Sequence, residues 1–258
     1  MIIVISDVHL GYTKSNRESF REFLDRCMPL DIEHFVILGD LIDFWRANNA
    51  RAIIDNQDIL GLIGRLNARN VYYIPGNHDY YVHKLAERYK DFYPFKVSKR
   101  LRLVDGGQTF NFAHGYELEV LSNLEPMTVD TYERWSERMC FSERITGGIA
   151  TRIWDMVEKR NEDGDKAMFM RKPPHERTGI DKVRDLATSK GAYMVLGMKP
   201  GDNLVYGHTH RPFINEEKTV ANTGSWVDEG PADRPRNTYV IIEDGQMRLK
   251  IFDKEHFP

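Results

Sequence analysis

Seven side chains that can bind a divalent cation follow apolar stretches of this sequence. They lie in five short motifs: Asp7-Val8-His9, Gly39-Asp40, Gly76-Asn77-His78-Asp79, His114-Gly115 and Gly207-His208-Thr209-His210. The candidate ligands themselves are Asp7, His9, Asp40, Asn77, His114, His208 and His210. A set of carboxylate, amide and imidazole groups without a thiolate suits Mn²⁺, Fe or Zn²⁺ better than Ca²⁺ or Mg²⁺ alone. The set is large enough for two ions.

Two divalent ions about 3.5–4 Å apart polarise a phosphoryl oxygen, lower the pKa of a shared water and align an in-line displacement. This chemistry needs a carboxylate that bridges both ions, and Asp40 is the candidate. His208 and His210 favour a metal even on their own, because side chains two residues apart in an extended segment project to the same side. The other motifs, taken singly, are common in turns or as hydrogen-bonded polar residues. Their ordered conjunction indicates the site.

The first three motifs follow apolar runs of the kind found in buried parallel strands, at residues 2–6, 35–38 and 71–74. Between these runs, apolar residues at helical spacing predict helices over 16–28 and 59–66. Alternation of strands and helices, with a polar motif after each strand, is typical of the α/β class. In such sheets the loops at the carboxyl ends of the strands converge on one crevice. We therefore expect the candidate ligands to meet there.

The segment 15–18 resembles a capping box for the first helix.

After residue 90 the alternation of strands and helices ends, and the sequence predicts short β segments and a long helical stretch. The region 116–203 is predicted to be a mostly helical insertion or cap, with one helix over 179–198. We expect one domain over residues 1–258. Six further strands are predicted at 101–104, 109–113, 204–206, 219–223, 239–242 and 247–252.

Composition narrows the class of protein. The 36 basic and 39 acidic residues give a net charge of −3, which supplies no global electrostatic case for nucleic-acid binding. Cys27 and Cys140 form no CxxC pair, and Cys27 lies on an apolar helical face, so we expect core packing rather than a zinc-thiolate site or a disulfide. The absence of a leader or a long apolar span predicts a cytoplasmic protein without a transmembrane segment, with peripheral membrane contact left open.

The order of the five motifs resembles that of the calcineurin-like metallophosphoesterases, D-x-H, G-D, G-N-H-(D/E), H and G-H-x-H. The resemblance implies a four-layer α/β-β/α sandwich, two mixed sheets flanked by helices, with a dinuclear metal site. It implies that His78 stabilises the phosphate or protonates the leaving oxygen, and that Asp79 orients His78. One implied metal has the ligands Asp7, His9, Asp40 and His210. The other implied metal has the ligands Asp40, Asn77, His114 and His208.

A narrower resemblance is to the UDP-2,3-diacylglucosamine hydrolases, which are pyrophosphatases of lipid A synthesis. The similar sequence segments are residues 6–10, 39–45, 114–115 and 207–212. The insertion is also similar to the lipid-binding cap of that family. The third motif differs from that family, because those enzymes typically have the sequence G-N-R-D, with arginine at the position of His78. Arginine binds phosphate as a fixed cation, whereas histidine can act as an acid.

These observations predict a dinuclear metal-dependent phosphoesterase that hydrolyses a phosphodiester or pyrophosphate bond by attack of a metal-bridging hydroxide. We expect two divalent ions, Mn²⁺ first, with Fe, Zn²⁺ or Ni²⁺ as alternatives. The expected substrate is a small phosphate ester or a nucleotide-linked compound. Two rival hypotheses remain: a nuclease acting on DNA or RNA, and a non-catalytic binding module on the same scaffold.

Several side chains outside the motifs have two possible roles, one in function and one in the fold. The methionines and tryptophans of 116–203 either line an apolar substrate groove or pack between helices, and packing is favoured. His83 either faces the cleft or is an ordinary polar residue, and the second is favoured. Asn222 lies in a segment, 222–226, similar to the returning N-x-G-S segment of the superfamily, and is a candidate to support the ligands. The basic residues that either contact substrate phosphates or stay solvated, the latter favoured, are Arg171, Lys172, Arg177, Lys182 and Arg184.

Overall fold

A computed structural model describes residues 1–88, 95–124, 126–141, 179–230 and 233–253. In these ranges the strands are β1 Ile2–Ile5, β2 Ile32–Ile37, β3 Ala68–Tyr73, β4 Lys96–Val97, β5 Leu101–Asp105, β6 Gln108–Phe112, β7 Asn203–Tyr206, β8 Phe213–Ile214, β9 Val220–Asn222, β10 Thr238–Glu243 and β11 Gln246–Ile251. The helices are α1 Arg17–Cys27, α2 Asn49–Ile54, α3 Gln57–Arg65, α4 Val82–Arg88, α5 Tyr116–Asn123, α6 Val129–Phe141, α7 Gly179–Thr188 and α8 Gly191–Leu196.

The strands form two mixed sheets. The first has the order β11-β10-β1-β2-β3-β4, with β1 to β4 parallel and the β10–β11 hairpin antiparallel. The second has the order β5-β6-β7-β9-β8, in which β6, β7 and β9 are parallel. The first three motifs follow β1, β2 and β3 of the first sheet. The last two follow β6 and β7 of the second, so the two sheets share the candidate site.

Three apolar clusters separate four layers of structure, which confirms the α/β sandwich of two mixed sheets flanked by helices. The cluster between the sheets includes Val4, Val36, Phe112, Val205 and Val240. The cluster on the outer face of the first sheet includes Ile3, Ile5, Phe20, Phe23, Ile59 and Ile63. The cluster on the outer face of the second sheet includes Leu118, Val183, Ala187, Leu196 and Leu204.

Helix α1 shows how sequence spacing produces this layering. Its buried residues Phe20, Phe23, Leu24 and Cys27 recur every three or four positions and so form one face against the first sheet. Removing each large apolar side chain from water contributes about 1.5–3 kcal/mol. Cys27 is fully buried and unpaired, as its place on this face predicted. The predicted capping box is wrong, because the N-cap is Asn16, whose side chain makes no cap hydrogen bond, and the Ser15 hydroxyl donates to Val8 O at 2.7 Å instead.

The described part of the region 116–203 is mostly helical. The helix predicted over 179–198 is two helices, α7 and α8, because Ser189 Oγ accepts a hydrogen bond from Gly191 N at 3.0 Å where the first one ends. Trp135 of α6 packs edge-on against Trp45, with ring centroids 5.1 Å apart. Trp154 and the basic residues Arg171, Lys172 and Arg177 lie outside the described residues. Among the described helices, none combines the length and the apolar character needed to cross a bilayer.

Helix α6 is held to the loops that carry two of the motifs. Glu133 accepts hydrogen bonds from Tyr80 Oη at 2.7 Å and from Tyr116 Oη at 2.8 Å. Its carboxylate also pairs with Lys99 at 2.5 Å. Tyr80 directly follows the third motif and Tyr116 directly follows the fourth. The start of the insertion is therefore tied to the chain segments that position Asn77 and His114.

Candidate metal centre

The structure brings the candidate ligands together in two groups. Asp7, His9 and His210 form one group and Asp40, His114 and His208 form another, with the ligand atoms of each group within 4.8 Å of one another. Asp40 lies between them, since its Oδ2 is 3.7 Å from His9 Nε2 and 3.4 Å from His114 Nε2. This position suits a carboxylate that bridges two ions.

The remaining distances place the seventh ligand and relate the imidazoles. Asn77 Oδ1 lies 3.1 Å from His114 Nε2, in the group around Asp40. His208 Nδ1 lies 3.2 Å from the same nitrogen. In the other group, His9 Nε2 and His210 Nε2 are 3.2 Å apart. All seven predicted ligands thus meet at one place, divided as the family resemblance implies.

Hydrogen bonds on the far side of the rings decide which imidazole nitrogens face the centre. His114 Nδ1 donates to Leu38 O at 2.5 Å, so its Nε2 faces the other candidate ligands. His9 Nδ1 contacts Asp43 Oδ2 at 3.0 Å. His208 is held through Nε2, which contacts Glu119 Oε2 at 2.5 Å, so its Nδ1 points inward. Anchoring one ring nitrogen on an acceptor while the other faces the ion is the usual arrangement of a metal-binding histidine.

The inward-facing atoms fit divalent cations. Lone pairs on facing nitrogens about 3.2 Å apart repel each other unless a cation or a proton lies between them. The carboxylate of Asp7 shows the same need. Its Oδ2 accepts from His208 N at 2.9 Å, whereas its buried Oδ1 has no hydrogen-bond partner among the described residues and lies 3.2 Å from His210 Nε2. A buried carboxylate oxygen without a donor is satisfied by a bound ion.

The backbone at the site adopts an uncommon conformation. Among the described residues, eight that are not glycine have positive φ, and five of them are the candidate ligands Asp7, His9, Asp40, His208 and His210. The left-handed region costs a non-glycine residue free energy, and such residues cluster where function requires them. The strained turns aim the ligands inward directly after the strands end.

The motif glycines allow the two sheets to approach each other at the ligands. A Cβ on Gly76 would lie 2.8 Å from Asp40 Cγ and 2.7 Å from His114 Cε1. A Cβ on Gly207 would lie 2.6 Å from Asp7 Oδ2. Real Cβ atoms do not approach other heavy atoms this closely. A larger residue at position 76 would collide with Asp40 and His114, and one at position 207 would collide with Asp7.

Electrostatic interactions keep the buried carboxylates ionised. Burial acts to raise the pKa of Asp40, but the imidazoles of His114 and His78 hold that pKa well below its usual range. Burial likewise opposes a charge on His114, yet Asp40 and Asp7 raise the pKa of His114 to about 10. Burial lowers the pKa of His9, which favours its neutral form. Ionised carboxylates and the neutral His9 imidazole are forms in which such groups bind metal, whereas a cation bound at His114 would take the place of the proton that its raised pKa favours.

Asp43, which sequence reasoning did not select, lies at the centre of the site. Its Oδ1 contacts His78 Nδ1 at 3.0 Å while its Oδ2 contacts His9 Nδ1 at 3.0 Å. Arg46 Nη1 donates to the same carboxylate at 2.9 Å. The expectation that Asp79 orients His78 is therefore wrong, because Asp43 makes that contact. The available signal was its position three residues after Asp40, which a turn between them brings under the imidazole.

Asp79 instead organises the loops that carry the ligands. Its carboxylate accepts hydrogen bonds from Gly76 N at 2.7 Å, Leu41 N at 2.8 Å and Tyr73 Oη at 2.5 Å. Burial and the nearby Asp40 raise the pKa of Asp79 to about 6, so at neutral pH it is ionised and can accept all three bonds. It therefore connects the second and third motifs. Asp79 makes no hydrogen bond to an imidazole among the described residues.

Replacing Asp79 by asparagine is expected to lower the free energy of unfolding by about 2–3 kcal/mol, because an amide loses charged acceptor capacity for buried donors. Denaturant unfolding of the chelator-treated protein measures the change. Asp25→Asn, at an exposed position of α1, is the matched control and should leave stability unchanged. An unaltered unfolding curve for the Asp79 variant would contradict the organising role.

Glu119 is the second residue that sequence reasoning missed. It belongs to α5, the first helix of the insertion, and holds His208 Nε2. A glutamate one turn into the helix that follows His114-Gly115 was the only sequence signal. In the structure it connects α5 to the candidate metal ligand His208, which belongs to the other motif of the second sheet.

We expect Glu119→Gln to weaken metal binding about 10–100-fold, since carboxylates that hold a metal-binding histidine contribute this much. Competition between the protein and a fluorescent metal chelator measures the affinity. Glu216→Gln, in an exposed turn, is the control for loss of one negative charge. Equal affinities in the two variants would show that Glu119 does not act through His208.

Other sequence candidates have ordinary contacts. Asn222 Nδ2 donates to Gly207 O at 2.6 Å and to Thr209 Oγ1 at 3.1 Å, and so holds the turn of the last motif. His83 packs edge-on against the Tyr80 ring, with centroids 5.2 Å apart. Arg184 lies 4.6 Å over the Phe213 ring.

Two mixed sheets that bring carboxylate, amide and imidazole ligands together at the ends of their parallel strands define a metallophosphoesterase. The chain belongs to the calcineurin-like phosphoesterase family, whose model matches residues 1–212. The protein is therefore a metal-dependent phosphoric ester hydrolase.

Curated relatives agree with this class. The chain is 23% identical to a UDP-2,3-diacylglucosamine hydrolase of Shewanella sp. (strain MR-7), over 94% of each chain. It is 22% identical to the hydrolase of that name from Xanthomonas oryzae pv. oryzae (strain PXO99A), over 88% of this chain and 92% of the relative. Among solved structures, it is similar to a novel archaeal phosphodiesterase, with 14% identity, coverage of 97% and 99%, and a TM-score of 0.42. It is also similar to Yfce, a phosphoesterase from E. coli, with 15% identity, coverage of 93% and 86%, and a TM-score of 0.41.

Proposed function

We propose that the protein hydrolyses a phosphodiester or diphosphate bond with the help of two divalent cations. The observation that supports this most is the position of Asp40, whose Oδ2 lies between the two ligand groups at 3.7 Å from His9 Nε2 and 3.4 Å from His114 Nε2. Mn²⁺ is the first candidate for the ions, because the ligands are carboxylate, amide and imidazole without thiolate.

The proposed division of ligands follows the two groups. Asp7, His9 and His210 would hold one ion, and Asn77, His114 and His208 the other, with Asp40 shared between them. Bound there, the ions supply Lewis acidity that polarises a phosphoryl oxygen and lowers the pKa of water. The chain supplies the rigid geometry, since five of these residues are fixed in left-handed turns.

His78 is proposed to give a proton to the leaving oxygen. Its Nδ1 is held by Asp43, and its ring stacks on the indole of Trp45 with centroids 4.0 Å apart. A carboxylate that holds one ring nitrogen fixes the orientation of an imidazole. Its backbone N also donates to Asp40 Oδ1 at 2.9 Å, which fixes His78 relative to the ligand that both ions would share.

The curated relatives named UDP-2,3-diacylglucosamine hydrolase act, by that name, on a nucleotide-linked sugar. We infer a small phosphate ester or nucleotide-linked compound as the substrate here too. The presence of His78 in the third motif favours a substrate whose leaving group needs a proton. The net charge of −3 gives no support to the alternative, a nuclease. The cytoplasmic location stays a prediction.

The test is a substrate panel with the Mn²⁺-reconstituted protein. It includes bis-p-nitrophenyl phosphate, p-nitrophenyl phosphate, UDP-sugars, cyclic nucleotides and single-stranded DNA. We expect turnover of the diesters and two Mn²⁺ per chain by metal analysis. Preferential cleavage of DNA, falling steeply with salt, would favour the nuclease. Metal-free protein after reconstitution, or no turnover of any phosphate ester, would overturn the proposal.

A further inference from the structure

The ring of His78 is held on one face by a residue that is not a candidate metal ligand. The indole of Trp45 stacks on this ring, with centroids 4.0 Å apart and an angle of 25° between the ring planes. Asp43 holds the ring only through Nδ1, at 3.0 Å. Because one hydrogen bond leaves an imidazole free to tilt about the bonded nitrogen, the stack with Trp45 is needed to set the plane of the ring.

Trp45 is supported in turn by helix α6 of the insertion. The ring of Trp135 packs edge-on against Trp45, with centroids 5.1 Å apart and ring planes at 76°. Stacked and edge-on contacts at these separations are the favourable arrangements of aromatic rings. The three rings form a continuous row from the insertion to the third motif. We call Trp135, Trp45 and His78 the aromatic row.

Helix α6 also contacts the backbone of the third motif directly. Cys140 Sγ donates a hydrogen bond to His78 O at 3.3 Å, and Cys140 is only 1% exposed. Asn49 Nδ2 donates to Cys140 O at 2.5 Å, which joins the end of α6 to α2. His78 is therefore connected to α6 at two points, through its backbone carbonyl and through the face of its ring.

The position of Trp135 is fixed because α6 itself is anchored near it. Glu133, two residues before Trp135, accepts hydrogen bonds from Tyr80 Oη at 2.7 Å and Tyr116 Oη at 2.8 Å. Tyr80 lies two residues after His78. A rigid helix that carries a ring of the aromatic row is a support of the kind that locks the side-chain conformation of a functional residue.

The nitrogen of His78 that is left over is the one that matters for the proposed chemistry. Within the described part of the chain, His78 Nε2 makes no hydrogen bond, whereas the backbone N and Nδ1 are bonded to Asp40 and Asp43. A proton donor must lie about 2.6–3.2 Å from the oxygen that receives the proton. A misplacement of about 1 Å costs up to about 10²-fold in rate. A tilt of the ring would move Nε2 by such an amount.

We propose that Trp135 is a positioning residue for His78. By supporting Trp45 it sets the plane of the imidazole, and thereby the place of Nε2, so that the beginning of the insertion contributes to the chemical step. The inference deepens the proposed function and rests on it, because it assumes that His78 gives a proton to the leaving oxygen. A tryptophan that only packed in the core would, when removed, affect all substrates alike.

The kinetic test compares Trp135→Ala with the wild type on two substrates of the Mn²⁺-loaded protein. The leaving group of 3′,5′-cyclic AMP is a ribose oxygen that needs a proton, whereas p-nitrophenolate leaves bis-p-nitrophenyl phosphate without one. For cyclic AMP, we expect kcat to fall about 10–100-fold, with KM within about twofold of the wild-type value. For bis-p-nitrophenyl phosphate, kcat should change less than about threefold.

Two further variants complete the kinetic test. Trp135→Phe keeps an aromatic ring against Trp45 and should recover most of the kcat on cyclic AMP. Tyr193→Ala is the matched control, because Tyr193 is a partly buried aromatic residue of α8 that packs in the cluster on the outer face of the second sheet. It should leave kcat on both substrates within about twofold of the wild type. The metal content should be the same in all variants.

Proton NMR of the chelator-treated protein separates positioning from catalysis. The Trp45 ring current shifts the carbon-bound protons of the stacked His78 ring upfield, and the spectrum of His78→Asn identifies their signals. Trp135→Ala should move these signals toward those of a free histidine, whereas Trp135→Phe and Tyr193→Ala should leave them close to the wild-type positions. If circular dichroism shows that Trp135→Ala is unfolded, Trp135→Leu takes its place in both tests.

Two outcomes would overturn the positioning role. One is a folded Trp135→Ala variant with unchanged His78 ring signals. The other is a loss of kcat by the same factor on cyclic AMP and on bis-p-nitrophenyl phosphate. A wild-type protein that turned over no phosphate ester, combined with the expected movement of the ring signals, would overturn the proposed function and support the positioning of His78 by Trp135.

Discussion

Asp40→Ala is expected to abolish stoichiometric binding of the metal pair and to lower kcat/KM for bis-p-nitrophenyl phosphate by about 10³-fold or more. The reason is the position of Asp40 Oδ2 between the two ligand groups, where one carboxylate would serve both proposed ions. Metal ions contribute several kcal/mol to phosphoryl transfer, and about 4 kcal/mol is equivalent to 10³-fold in rate. Metal analysis of the purified variant and steady-state kinetics measure the two effects.

Asp25→Ala, on the exposed side of α1, is the matched control for loss of one aspartate. It should retain the metal content and the rate of the wild type. Circular dichroism measures whether the Asp40 variant is folded. We expect it to fold, because removing a buried carboxylate also removes the cost of its desolvation. A folded Asp40 variant that still bound two ions and kept its activity would refute the assignment of Asp40 as the shared ligand.

The second large effect is expected for His78→Asn. On a diester with an alkyl leaving group, kcat should fall roughly 10²–10⁴-fold, the usual contribution of a general acid. On bis-p-nitrophenyl phosphate the decrease should be much smaller, since p-nitrophenolate departs without a proton. The metal content should stay unchanged, because His78 contacts Asp43 through Nδ1 and is not one of the seven candidate ligands.

The dependence on the leaving group is what separates proton donation from phosphate binding. An imidazole that only neutralised the phosphate would, when removed, slow both substrates by the same factor. Asp43→Asn should reproduce the leaving-group dependence in weaker form, and it should also lower metal affinity because Asp43 holds His9. His34→Asn, in β2 and hydrogen-bonded to Asn70, is the control for loss of a histidine.

The positions of the ligands could be predicted from the sequence because each motif follows an apolar strand. Parallel strands of one sheet place their carboxyl ends at one edge, so Asp7 and Asp40 had to be neighbours once β1 and β2 were recognised. The sequence also indicated the buried face of α1. These predictions rest on the periodicity of apolar residues and on the position of each motif directly after a strand, and both are local properties of the sequence.

The contacts of Asp43, Asp79 and Glu119 could not be predicted in the same way. They depend on left-handed turns at residues such as Asp40, whose φ of 51° redirects the chain within one position. Adjacent in sequence, His78 and Asp79 point to different partners, Asp43 and Tyr73. The predicted capping box is wrong because residues outside the helix accept the side-chain hydrogen bonds: Val8 O accepts from Ser15 Oγ, and Asn237 Oδ1 accepts from Asn16.

The division of the ligands between the sheets has a thermodynamic consequence. Four candidate ligands follow strands of the first sheet and three follow strands of the second. Ions bound among them would cross-link the two halves of the sandwich, as a disulfide joins distant segments. Ligand binding that occurs only in the folded state adds to the free energy of unfolding, by about 2.7 kcal/mol when the free ion is at 100 times its dissociation constant. The supply of the ions would therefore set the free energy of unfolding as well as the rate of the reaction.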